Sequence, residues 1–379
     1  MTPDPRLPPH TDWAAWALAH LQDLPALTGR QWELIVVQAR QADVLARLAA
    51  WLQQAGQLDA VPQAPRAHLL GALNVAAAQH AEVWQEARYI DAALQHLGVP
   101  VALLKGSAYV VSGSAAALGR LFSDTDILIP KDSLSPVERG LMMAGWLGTN
   151  HDSYDQHYYR QWMHEIPPMG HLSRGTTIDV HHNILPLTVR RPPDAALLLA
   201  SARALPGFAC LHSLTPTDQV LHSMAHLFHN DDLSHGLRDV SDLDMLLRAQ
   251  LADQGAACWP GLLSRAQALH VEMPLAYGLW ACQALLGTPV PDEVITQARA
   301  QAGIGRVHWA AMCWLWRRVL RTAHSQARLG GQGLAGFALY VRAHWLRMPP
   351  LLLARHLSIK AWKRLTAPKP AAVPGQGPA

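Results

Sequence analysis

The feature that most constrains this chain is a break in its periodicity. Helix-patterned, alanine-rich sequence lies on both sides of a stretch, 100–185, that holds three short apolar runs close together. These are VALL (101–104), TDILI (125–129) and the centre of GTTIDVHHNI (175–184). Runs of this length with β-branched residues and turn residues at their ends read as strands. Between the second and third, SPVERGLMMAGW (135–146) has helical spacing. Short strands of this kind must pack on another layer to bury a face. The expected class is therefore α+β: a small mixed-sheet core flanked by N-terminal and C-terminal helical regions.

The flanks have their own punctuation. Thr11 or Asp12 is placed to cap a first helix carrying Trp13, Trp16 and Leu18; further helical patterns run from about Gln31 to Ala55 and from about Ala67 to Leu97, where GVP stops the last. After Pro193 the helical pattern returns, with Pro216 near a helix start, and it continues to about residue 325. RLGGQGLAGF (328–337) is Gly-rich and reads as a loop or hinge. The expected division is a helical region 1–99, an α/β core 100–190, a helical domain 191–327, a basic Trp/Arg-rich helical segment 328–366 and a disordered tail 367–379.

Half of the 379 residues are apolar and 16% are charged, ample material for a globular core. The four cysteines form no CxxC pair and read as reduced packing residues of a cytoplasmic protein. MTPDPRLPPH has no basic region followed by an apolar run, so no signal peptide is expected, and no apolar run reaches spanning length. The net charge of +3 hides an asymmetry: no Asp or Glu follows Glu293, while 294–379 holds 13 Lys and Arg. A basic end of this kind suggests an anionic counterpart, whether lipid, nucleic acid or the acidic remainder of the chain.

The chemistry-bearing residues sit in the strand region. Side chains alternate along a strand, so Asp124 and Asp126 share a face and Thr125 points away. Two carboxylates on one face repel unless a cation lies between them, and hard divalent ions favour carboxylates together with substrate phosphates. Asp179, between Ile178 and Val180, could complete such a site from a third strand. Upstream, Gly106 and Ser107 follow a strand and open a helical stretch, where backbone N–H groups can meet phosphate oxygens. Lys105, one of only five lysines, stands beside them as a point charge.

Strand–Gly-Ser–helix, then Asp-x-Asp opening a strand, then a lone Asp in a later strand is an order that resembles the polymerase-beta-like nucleotidyltransferase superfamily. More closely, it resembles a poorly characterised bacterial family of nucleotidyltransferases. Leu104-Lys105-Gly106, Arg120 with Asp124-x-Asp126 and its apolar run, and Asp179-Val180-His181 match that family's elements in turn. Residue 125 is Thr where the family usually has an apolar residue. The resemblance covers about 100–250. It implies a nucleotidyltransferase that joins a nucleoside monophosphate from an NTP such as ATP to a hydroxyl-bearing acceptor. Mg²⁺ or Mn²⁺ would be held by Asp124, Asp126 and Asp179. Lys105, Gly106, Ser107 and Arg120 would steady the phosphates. The acceptor could be a small molecule, a peptide or a protein.

Other signals leave alternatives open. His181 shares a face with Asp179 and could touch substrate or orient that carboxylate; His182 points the other way. His222, His226 and His229 fall at i, i+4 and i+7, a spacing that can bind zinc in a metal-dependent hydrolase, or simply line a cleft, with His226 the candidate for the cleft. Asp239 and Asp242, beside Arg238, read as helix-surface or cap pairs. The C-terminal segment, with Trp345, Trp362, Arg355, Lys360, Lys363 and Arg364, has the residue types of a helix at an anionic membrane surface. No nucleic-acid-binding module is visible. The main rival to an enzyme is a catalytically silent relative that binds a nucleotide or a partner, with a membrane surface as one place for it.

Overall fold

The computed structural model describes residues 10–122, 124–149, 159 and 162–348. The fold is α+β. Its strands are β1 (Val101–Leu103), β2 (Thr125–Leu128), β3 (Trp146–Gly148), β4 (Met169–His171), β5 (Thr177–His181), β6 (Arg203–Ala204) and β7 (Leu211–Ser213), in the order β3-β4-β5-β2-β1-β7-β6. The three strands legible in the sequence, β5, β2 and β1, are the centre of this sheet. The other four have two or three residues each and, unlike the equally short β1, are not wholly apolar, so the sequence does not mark them.

Register follows from burial. Thr125, Ile127 and Ile129 turn to one face, together with Ile178 and Val180; the two isoleucines and their β5 neighbours join a core against helices Gln63–Leu94 and Leu134–Met143. Asp126 and Leu128 turn to the other face, as do Asp179 and His181. Strands β2 and β5 are parallel, with Asp126 level with Asp179 and Leu128 level with His181. Strand β1 is antiparallel to β2 and parallel to β7.

The helices before and after the sheet share one core. Trp13, Trp32, Leu48, Phe228, Tyr277 and Trp316 all belong to it. Polar contacts fasten the same junction. The Asp12 carboxylate caps helix Trp13–Ala19 by accepting from Ala15 N at 3.1 Å, and it also accepts from the amide and hydroxyl of Thr322 at 2.8 and 2.9 Å. The pattern expected from 31 to 55 divides into helices Gly29–Gln41 and Leu45–Gln54, because Asp43 adopts a left-handed φ of 54° between them. Helix Gln63–Leu94 gives way at Gly98, whose φ of 63° supplies the left-handed stop.

The Gly-rich stretch is a loop for only part of its length. Gly331, with φ 79°, precedes helix Gln332–Arg347, which includes Gly333 and Gly336. Tertiary burial overrides the weak helix propensity of glycine here: Ala335, Leu339 and Ala343 are buried, and the helix packs against Arg306–Val319. Among the described residues no helix is long and apolar enough to cross a membrane. Arg355, Lys360, Trp362, Lys363, Arg364 and the tail 367–379 lie outside the described residues.

Candidate active site

One cavity of about 650 Å³ gathers Lys105, Gly106, Arg120, Asp124, Asp126, Asp179, His181 and His226 in its wall. Ser107 is not part of that wall. It is buried, and its hydroxyl donates to the Leu104 carbonyl at 3.0 Å.

The strand-to-helix turn builds the first side of the cavity. Leu104 N donates to the Asp126 carbonyl at 2.9 Å, extending the β1–β2 pairing by one residue. The chain then reverses at Lys105, a non-glycine residue at φ 46°, and enters helix Lys105–Ser112. A left-handed lysine is an uncommon conformation held by its surroundings. It brings Nζ within 2.8 Å of Asp126 Oδ1. Gly106 has a packing reason: a Cβ there would lie 2.4 Å from the ring of Phe122, another wall residue.

The carboxylates on β2 and β5 have opposite characters. Asp126 is buried, which by itself would raise its pKa. The ammonium of Lys105 and the imidazole of His181, with Nε2 at 2.9 Å from the same Oδ1, overcome that and hold it well below the usual carboxylate range. Asp179 is offset only in part, by the charge of His181. Burial and the charge of Asp126 push it up to about 7, and its Oδ1 is buried without a hydrogen-bond partner among the described residues. His181 is pulled down by burial but driven up overall by Asp126 and by Glu165, whose Oε2 lies 3.2 Å from Nδ1. The imidazole therefore sits between two carboxylates, which favour its charged form.

This donor set fits a hard divalent cation. Asp124, Asp126 and Asp179 face one space, and a buried carboxylate oxygen with no donor is a group that a cation would satisfy. Their oxygens are not already clustered, however. Among the described residues, the group of ligating side chains whose donor atoms all lie within 4.8 Å of one another is His164, Glu165 and His181. The acidic and histidine cluster at this end of the sheet is thus a fact of the fold. The helix with His222, His226 and His229 assembles no such group. His226 and His229 line the cavity, and His222 is buried. Burial keeps all three imidazoles neutral, with His222 and His229 down to about 3 and His226 well below its ordinary value.

Arg120 reaches the cavity from a second ionic centre. Its Nε lies 2.7 Å from Asp242 Oδ2, and Arg47 Nη1 lies 2.7 Å from Asp242 Oδ1. Arg47 is buried and also donates to the carbonyls of Ala116 and Leu118 at 2.6 and 3.1 Å. Asp242 is thus no helix-surface residue: it is the buried anion that joins the N-terminal helices, the 115–120 turn and helix Gly236–Gln254. A signal for this did exist, since Arg47 interrupts the apolar face of LARLAAWL. Glu165 and His164 gave no comparable signal, because the short segment that carries them has no regular pattern.

Residues 28–287, more than half of the chain, match a family described as uncharacterised nucleotidyltransferase. No curated protein and no solved structure matches the chain.

Proposed function

The chain belongs to the uncharacterised nucleotidyltransferase family, a family of transferase enzymes, and from that premise we propose its reaction. It transfers a nucleoside monophosphate from an NTP to a hydroxyl of an acceptor and releases pyrophosphate, with Mg²⁺ or Mn²⁺ as cofactor. The observation that carries this reading is the level pairing of Asp126 and Asp179 on adjacent parallel strands, facing a cavity that Asp124 also lines.

Asp124, Asp126 and Asp179 would hold the cation, which when bound supplies charge neutralisation for the triphosphate and for the departing pyrophosphate. The chain's own groups do the rest. Lys105 keeps Asp126 anionic and stands at the cavity wall as a cation for phosphate oxygens. His181 fixes the orientation of Asp126. Asp179, through the carboxylate oxygen left free of the cation, accepts the proton of the acceptor hydroxyl as the new O–P bond forms and the bond to pyrophosphate breaks. Arg120, anchored on Asp242, offers fixed positive charge at the same wall.

The acceptor class is a small molecule, a peptide or a protein, and the compartment we propose is the cytoplasm, in keeping with four free cysteines. Pyrophosphate release is measured with each NTP, with and without Mg²⁺, against a lysate fraction as acceptor. The reading expects metal-dependent release that Asp126→Ala abolishes. One observation favours a silent, nucleotide-binding relative: Lys105 already occupies Asp126 Oδ1. That reading expects NTP to raise the melting temperature while no acceptor yields pyrophosphate.

A further inference from the structure

The last described helix, Gln332–Arg347, is two-faced. Ala335, Leu339 and Ala343 are buried against the body, with Leu339 only 1% exposed. On the other side Leu334, Phe337, Val341 and Trp345 stand in solvent at 67%, 66%, 47% and 62% exposure. Their spacing of three, four and four residues puts them in one stripe along the helix. A run of large apolar side chains on one outer face is not the scattered exposure that any surface shows.

Charge says what the stripe meets. From residue 294 onward the chain has no acidic side chain and 13 cationic ones, and five of those follow directly on the end of this helix. Arg306, Arg317 and Arg328 are exposed. Arg342 and Arg347 are engaged inward, on the Phe228 carbonyl at 2.9 Å and on Asp231 at 2.8 Å, so they leave the stripe itself apolar. A second copy of this chain would bring like charges together across such a face. A nucleic acid would leave Leu334 and Val341 without apolar partners. A bilayer with anionic headgroups satisfies both parts, taking the apolar stripe into the acyl boundary and the cations at the phosphates.

We propose that helix Gln332–Arg347 docks on an anionic phospholipid surface through Leu334, Phe337, Val341 and Trp345, with the cationic residues that precede and follow it in the sequence supplying electrostatic attraction. The inner face of the same helix contributes His344 and Arg347 to the cavity wall, so docking brings the candidate active site to the lipid surface. The docking does not rest on nucleotidyl transfer.

The test is flotation of the full chain with vesicles of phosphatidylcholine alone and of an equal mixture with phosphatidylglycerol. Binding is expected only to the mixture, and it should weaken as salt rises. Phe337→Glu with Trp345→Glu should lower the bound fraction by about tenfold or more with an unchanged melting curve. Should that pair disturb folding, Phe337→Gln with Trp345→Gln gives the same readout. Arg306→Glu with Arg317→Glu should weaken binding and flatten its salt dependence. The proposal is overturned by equal flotation on both vesicles, by none on the mixture, or by a solution dimer that the acidic pair splits, which would assign the stripe to a second copy.

Discussion

Asp126 and Asp242 are both buried aspartates with two cationic partners, yet they serve opposite ends. Asp126 meets Lys105 and His181 at the rim of a cavity, beside a second carboxylate whose proton is loosely decided. Asp242 meets Arg47 and Arg120, and those arginines also bind backbone carbonyls, so the cluster ties three segments of chain together. A lysine and a histidine can yield their partner to a ligand. Two arginines with fixed planar donors cannot do so without leaving charge buried. The same side chain marks chemistry in one place and architecture in the other, and the partners make the difference.

The comparison breaks most sharply under paired substitutions. Asp126→Asn should lower NTP turnover on the order of 10³-fold or more, while costing less stability than Asp242→Asn because Lys105 borders the cavity. A variant with full pyrophosphate release would remove Asp126 from the chemistry. Asp242→Asn should do the reverse. It leaves Arg47 charged and buried and should cost about 3–5 kcal/mol of stability, read from urea unfolding. If stability held while activity fell, the two centres would be alike after all.

Asp179 sharpens the contrast through pH. Its carboxyl titrates higher in the folded chain than in the unfolded one, so the folded state binds the proton more tightly. Its contribution is fully present at acid pH and is lost as pH rises from about 4 through about 7. Asp179→Asn should flatten that part of the stability–pH curve by about 2 kcal/mol, a value reduced for the group's partial contact with solvent. Melting in metal-free buffer across this range checks it, and an unchanged slope would mean that Asp179 is not held protonated. For the same reason, stabilisation by Mg²⁺ should grow as pH rises through about 7, since the cation and the proton compete for one carboxylate.

The smallest effect concerns Gly106. Gly106→Ala should cost about 1 kcal/mol, because the new Cβ meets the Phe122 ring, and should raise KM for NTP more than it lowers kcat. Phe122→Leu in the same chain should restore much of both. Failure of that rescue would show that Gly106 is required by something other than the ring.

Much of this centre could be read in advance. The strands β1, β2 and β5 show as short apolar runs, and alternation alone puts Asp124 and Asp126 on one face. The cap at Asp12 and the helix start at Pro216 follow from local chemistry alone. Four of the seven described strands do not show, since they are not wholly apolar as β1 is and, at two or three residues, form only through the neighbours that pair with them. The spacing of Asp242 from Arg238 is that of an ordinary surface pair, and only burial shows that its partners are Arg47 and Arg120, far along the chain. Ser107 kept its motif position but turned its hydroxyl into the helix.

What the sequence determined by itself is local: which segments are helix or strand, which face each carboxylate takes, and that one end of the chain is wholly cationic. Period, propensity and charge are properties of neighbours in the chain. The tertiary structure alone decided that Asp126 stands level with Asp179, that Glu165 and His181 meet, and that the helices before and after the sheet share one core. Those contacts join residues far apart in sequence, and their energies depend on burial and distance, which no local pattern encodes.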